Sequence, residues 1–99
     1  MKRRPALMQE QAEALAIQAL TFIGEDGERL GRFLAITGIG PAEIRTAAGE
    51  SDFLVGVLDY MGSDERLISA FSEANNLDPA DIDRARAALA GGSWERDLP

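Results

Sequence analysis

The sequence predicts an all-α fold, a compact six-helix bundle built from two pseudo-repeated three-helix units. Three observations carry this reading. Residues suited to ending and starting helices recur along the chain, the apolar residues between them fall at helical rather than alternating spacing, and one turn is present twice. The first copy is Phe33-Leu-Ala-Ile-Thr-Gly-Ile-Gly-Pro-Ala-Glu-Ile44, and the second runs from Phe71 to Ile82. In both, a Phe is followed by a residue suited to positive φ (Gly38, Asn76), an aliphatic (Ile39, Leu77), a cap residue (Gly40, Asp78) and then Pro-Ala-acid-Ile.

Each turn reads as two helix ends. Gly38 can close a helix in the left-handed conformation, and Asn76 is the next-best residue for it. Gly40 and Asp78 are acceptable N-caps, with Pro41 and Pro79 at the first helical position, where a missing N–H costs nothing. Glu43 and Asp81 then place a negative charge at the positive end of the helix dipole.

Taken in order, Met1–Pro5 is expected to be a disordered basic tip, with Pro5 fitting the first helical position. Residues 6–90 form a single helical domain. Gly and Pro are absent from Ala6 to Ile23, and Leu15, Ala16, Ala19, Leu20, Phe22 and Ile23 cover more than half of a helical wheel, with Ile17 at the edge. So wide an arc predicts a helix packed on several sides. Gly24 ends it, Asp26 caps a second helix running to Thr37, and Leu30, Phe33, Leu34 and Thr37 share one face. A short third helix spans Ala42–Ala48. Ser51 is expected to cap the fourth, Asp52–Met61, whose apolar residues repeat the angular pattern of the first. Gly62 and Ser63 are expected to end the fourth and cap the fifth, Asp64–Asn75, and the sixth runs from Pro79 to about Ala90. The glycine pair at Gly91 and Gly92 opens a tail, 91–99, that is expected to be flexible.

Laying residues 13–48 over 51–86 needs no gap, and eight of the thirty-six pairs are identical, among them Leu20/Leu58, Asp26/Asp64, Phe33/Phe71 and Ile44/Ile82. This marks two pseudo-repeats, with the first and fourth helices expected to meet at the centre and the others to flank them.

Composition narrows the chemistry. The chain has 99 residues, 45% of them hydrophobic, enough for one core. It contains no Cys, which excludes disulfides and thiolate metal sites, and no His, which removes the commonest general base and imidazole ligand. The formal charge is −7, and because Lys2, Arg3 and Arg4 hold three of the ten basic residues, the rest carries 7 basic against 17 acidic side chains. A body this acidic argues against nucleic-acid partners. Gln9, Glu10, Gln11 and Glu13 interrupt any export signal, and no apolar run is long enough to cross a membrane, so a cytoplasmic address is expected.

Few residues suggest activity. The segment Thr37-Gly-Ile-Gly-Pro-Ala-Glu-Ile-Arg-Thr-Ala47 resembles the hairpin of helix-hairpin-helix nucleic-acid binders, and the resemblance implies that backbone N–H groups at Gly38 and Gly40 would meet a phosphate. Ile44 stands where that family favours a small residue, Glu43 sits at the mouth, and the second copy carries Asp78 in place of Gly40; a structural turn accounts for the segment better. Asn75, Asn76, Asp78, Asp81 and Asp83 are rich in oxygen, but Pro79 starts a helix among them and capping accounts for the cluster, so no metal site is assigned. Glu25/Glu28 and Asp64/Glu65 read as solvated caps, and no Ser or Thr has a His to activate it. No catalytic residue and no cofactor are assigned. Arg29 and Arg32, like Arg84 and Arg86, read as solvated partners of local acids.

The runs Glu13–Asp26, Leu30–Pro41, Phe53–Tyr60 and Leu77–Pro79, spanning about residues 10 to 90, are similar to a small uncharacterised bacterial helical protein family, domain of unknown function 3572. The resemblance implies a helical cytoplasmic protein and brings no assigned activity. The reading that follows from the residues is a non-enzymatic protein–protein interaction or adaptor module, binding an unknown protein partner or itself. Ile17 and Val55, at the edges of the two wide arcs, are the expected interface residues. Trp94 is open to two readings, folding back on the body or anchoring a partner.

Overall fold

In the computed structural model, which describes residues 9–96 and the side chains of residues 9–90, the chain is helical throughout and no strand occurs among the described residues. The elements are α1 (Gln9–Gly24), α2 (Gly27–Thr37), a 3₁₀ turn (Pro41–Glu43), α3 (Ile44–Ala47), α4 (Ser51–Gly62), α5 (Glu65–Asn75) and α6 (Ala80–Arg96). The basic tip with Pro5, residues 97–99 and the side chain of Trp94 lie outside the described residues.

Local chemistry sets the helix ends. Asp26 is the N-cap of α2, accepting from the N–H groups of Glu28 at 2.9 Å and Arg29 at 3.3 Å. Asp64 does the same for α5, accepting from Arg66 at 3.0 Å and Leu67 at 3.3 Å. Each bond satisfies a donor that the helix itself leaves open. At the other ends, Gly38 (φ 74°) and Asn76 (φ 55°) take the left-handed conformation, and the Gly38 N–H donates to the Leu34 carbonyl. Asp78 caps α6 by accepting from the Ala80 N–H at 2.9 Å. Two caps differ from expectation: α5 is capped by Asp64 and not by Ser63, which closes α4. Ser51 is the first residue of α4 and Glu50 holds the cap position without a side-chain bond.

The core departs from the expected arrangement at α6. Helices α1 and α4 do meet, but α6 packs along both of them, so the centre is a three-helix core. Ile82, Ala85 and Leu89, at i, i+3 and i+7, form a buried stripe on α6. On α1 the positions Ala12, Ala16 and Ala19 have no exposed surface, and side chains this small let neighbouring backbones come close. Leu54, Val57, Leu58 and Met61 complete the core from α4. Helix α6 also continues through Gly91 and Gly92 to Arg96, past the expected end at Ala90.

Helices α2 and α5 flank this core, each inserting a phenylalanine with no exposed surface, Phe33 and Phe71. The aromatic contacts are reciprocal between the two halves. Phe22 of α1 meets Phe71 of α5 with ring centroids 5.5 Å apart, and Tyr60 of α4 meets Phe33 of α2 at 5.2 Å. The equivalence ends at the third helix of each half. Ile82 and Ala85 of α6 are buried, whereas their counterparts Ile44 and Ala47 on the four-residue α3 are only half-buried.

Candidate functional site

The Gly38–Pro41 turn was the sharpest sequence suggestion of a binding site, and its backbone donors are all engaged internally. The Gly38 N–H goes to Leu34 and the Ile39 N–H approaches the Thr37 hydroxyl at 3.4 Å. The Gly40 N–H donates to Oε1 of Glu43 at 2.9 Å. The carboxylate of Glu43 thus occupies the position that an incoming phosphate oxygen would need. The helix that follows, α3, has four residues, too few to build a substantial dipole.

The oxygen-rich segment after α5 is also used up locally. The Asn75 side chain donates to the Phe71 carbonyl at 3.1 Å, Asp78 caps α6, and Asp81 pairs with Arg84 one turn along. Among the described residues no group of three or more acids is placed to hold a metal ion. None of the described Asp or Glu side chains is buried, and Ser72 is the one buried polar side chain among these residues. The candidate pairs Glu25/Glu28 and Asp64/Glu65 stay on the surface.

The surface itself is more informative. Ile17 remains 39% exposed and Ile36 67% exposed, the two large apolar side chains left in water among the described residues. Ile17 stands at the lip of a groove of about 280 Å³ between α1 and the end of α5, with Phe22 and Ala74 among its walls. Val55, grouped with Ile17 from sequence, is instead half-buried and packed against the core. Ile36 lies off the apolar face of α2 that Leu30, Phe33, Leu34 and Thr37 mark in the sequence. Its spacing from Arg29 and Arg32, i+7 and i+4, shows that it belongs to a different face, and that signal was available in the sequence.

A second groove, of about 340 Å³, lies where α2, α4 and α5 come together, and Arg29, Arg32 and Arg66 all line it. Arg29 is held in place. Its guanidinium carbon sits 4.3 Å from the centre of the Phe22 ring, a side-chain nitrogen donates to the Phe22 carbonyl at 3.5 Å, and Asp26 lies 4.0 Å away. Arg32 and Arg66 are exposed, and neither guanidinium has an ion-pair partner among the described residues. The expectation that Arg32 pairs with a local acid is therefore corrected. It holds for Arg84, and Arg86 instead reaches across from α6 to Asp59 on α4.

No helix among the described residues is long and apolar enough to cross a membrane. No curated protein and no solved structure matches the chain. A family model described as a protein of unknown function, DUF3572, matches residues 9–92. That match covers every helix of the bundle and all but the last few residues of α6, and the chain belongs to the DUF3572 family.

Proposed function

We propose that the protein is a small non-enzymatic interaction or adaptor module acting in the cytoplasm. The observation that carries this reading is the exposure of Ile17 and Ile36 on a bundle whose other described large aliphatic side chains are buried or half-buried. Exposed aliphatic surface of this kind is stabilised when a partner covers it. The composition is in keeping with a non-catalytic role, since the chain has no His or Cys and its described acids serve as caps, ion pairs or solvated surface.

The partner is another protein or a second copy of the chain, and one experiment separates these. Immobilised wild-type protein is compared with Ile17→Glu and Ile36→Glu in native extract, beside sedimentation of each purified protein. A specific protein retained by wild type and lost with either variant, at unchanged melting temperature, is the expected result for a separate partner. Concentration-dependent dimerisation abolished by either variant is the expected result for self-association. Identical retention and identical sedimentation of all three proteins would overturn the proposal.

A further inference from the structure

The second groove inverts the local sign of an acidic protein. Seven arginines lie beyond Arg4, and three of them, Arg29, Arg32 and Arg66, line this one depression. They arrive from two helices: α2 supplies Arg29 and Arg32, and α5 supplies Arg66. Gathering like charges is unfavourable unless an anion or solvent screens them. Asp64 in the wall accepts from the N–H groups of Arg66 and Leu67, Asp26 lies 4.0 Å from Arg29, and no described acid stands within ion-pair distance of the Arg32 or Arg66 guanidinium, so three arginines face one carboxylate.

We propose that this groove binds an acidic segment of a partner protein, with Arg32 and Arg66 taking its carboxylates and Arg29 and Tyr60 forming a fixed floor. The inference builds on the interaction-module reading, and the groove borders Ile36, which stands one turn from Arg32 on α2. Tyr60 is braced edge-on against Phe33, and Arg29 against Phe22, so neither has to be ordered on binding. Arg32 and Arg66 stand exposed in the wall, which suits an extended segment better than a small molecule that must be mostly enclosed. Asp64 in the wall repels a compact multianion, while separated carboxylates can straddle it. The strongly negative body works in the same direction against a continuous phosphate backbone.

The test is fluorescence anisotropy of a labelled peptide of alternating Glu and Leu, with a Lys/Leu peptide as control. The expected result is saturable binding of the acidic peptide alone, weakening as salt rises. The double variant Arg32→Glu/Arg66→Glu lowers affinity by at least about tenfold, because reversed charges repel where the native ones attract. The milder Arg32→Gln/Arg66→Gln variant, which keeps side-chain bulk, lowers it in the same direction. Arg45→Glu, on α3 and outside the groove, leaves it unchanged. Absence of saturable binding at low salt, or equal loss with Arg45→Glu, overturns the inference. So does displacement of the peptide by a short DNA duplex that binds more tightly, or a salt-sensitive homodimer abolished by the double variant. Ile17 lines the other groove, so the Ile17→Glu comparison in extract stands or falls separately.

Discussion

Phe33 packs edge-on against Tyr60, with ring centroids 5.2 Å apart and planes at 75°. The contact joins α2 of the first half to α4 of the second, and Phe22 with Phe71 joins α1 to α5 in the opposite sense, so each half grips the other through an aromatic pair. Phe33 also meets the Phe53 ring at 6.0 Å, so it packs against two rings of α4 at once.

Both phenylalanines are fully buried, so truncation removes a large apolar contact and leaves a cavity. Phe33→Ala and Phe71→Ala are each expected to lower stability by about 3–5 kcal/mol. Denaturant titration measures this directly, and a loss under ~1 kcal/mol would show that the site collapses around the missing ring.

Glycines divide by backbone angle. Gly38 sits at φ 74°, where a Cβ is strained, whereas an added Cβ at Gly31 or Gly56 meets nothing within 4 Å. Gly38→Ala is expected to cost about 1 kcal/mol, while Gly31→Ala and Gly56→Ala, inside helices, should each gain about 0.5–1 kcal/mol. Thermal melts of the three variants check the signs, and a stabilised Gly38→Ala would refute the left-handed cap.

The Ser72 hydroxyl is buried without a hydrogen-bond partner. Leaving a polar group in this state costs free energy that an apolar replacement recovers, so Ser72→Ala is expected to be neutral or to stabilise by up to about 1–2 kcal/mol. A clear loss of stability on chemical denaturation would mean that the hydroxyl is satisfied in solution.

Glu43 holds the Gly40 N–H. Replacing it by Ala is expected to speed exchange of the Gly40 amide with solvent severalfold, while buried helical amides around Phe33 exchange as before. Unchanged exchange at Gly40 in hydrogen-exchange NMR would show that the turn's donor is not engaged by the carboxylate.

The parts legible in the sequence were those written in local chemistry. Asp26, Gly38 and Asn76 were read correctly as helix ends because a cap bond reaches only two or three residues and a left-handed turn depends on one residue's own backbone, while the cap of α5 falls on Asp64, one residue after Ser63. Ser51 falls one position inside α4, because no side-chain bond fixes the start of that helix and such a boundary shifts by a residue or two. The site was less legible. Ile17 and Val55 both follow from the width of an apolar arc, yet Ile17 is exposed and Val55 is half-buried against the core.

By itself the sequence determined that the chain is helical, where most helices start and stop, and which faces are oily, because each depends on contacts within a few residues along the chain. Only the tertiary structure decided that α6 joins α1 and α4 in the core while α3 stays at the surface, and that Arg66 stands beside Arg29 and Arg32. Those outcomes depend on how closely the alanines of α1 let other helices approach and on which rings interlock across the two halves. They are relations between residues far apart in the chain, and no local pattern encodes them.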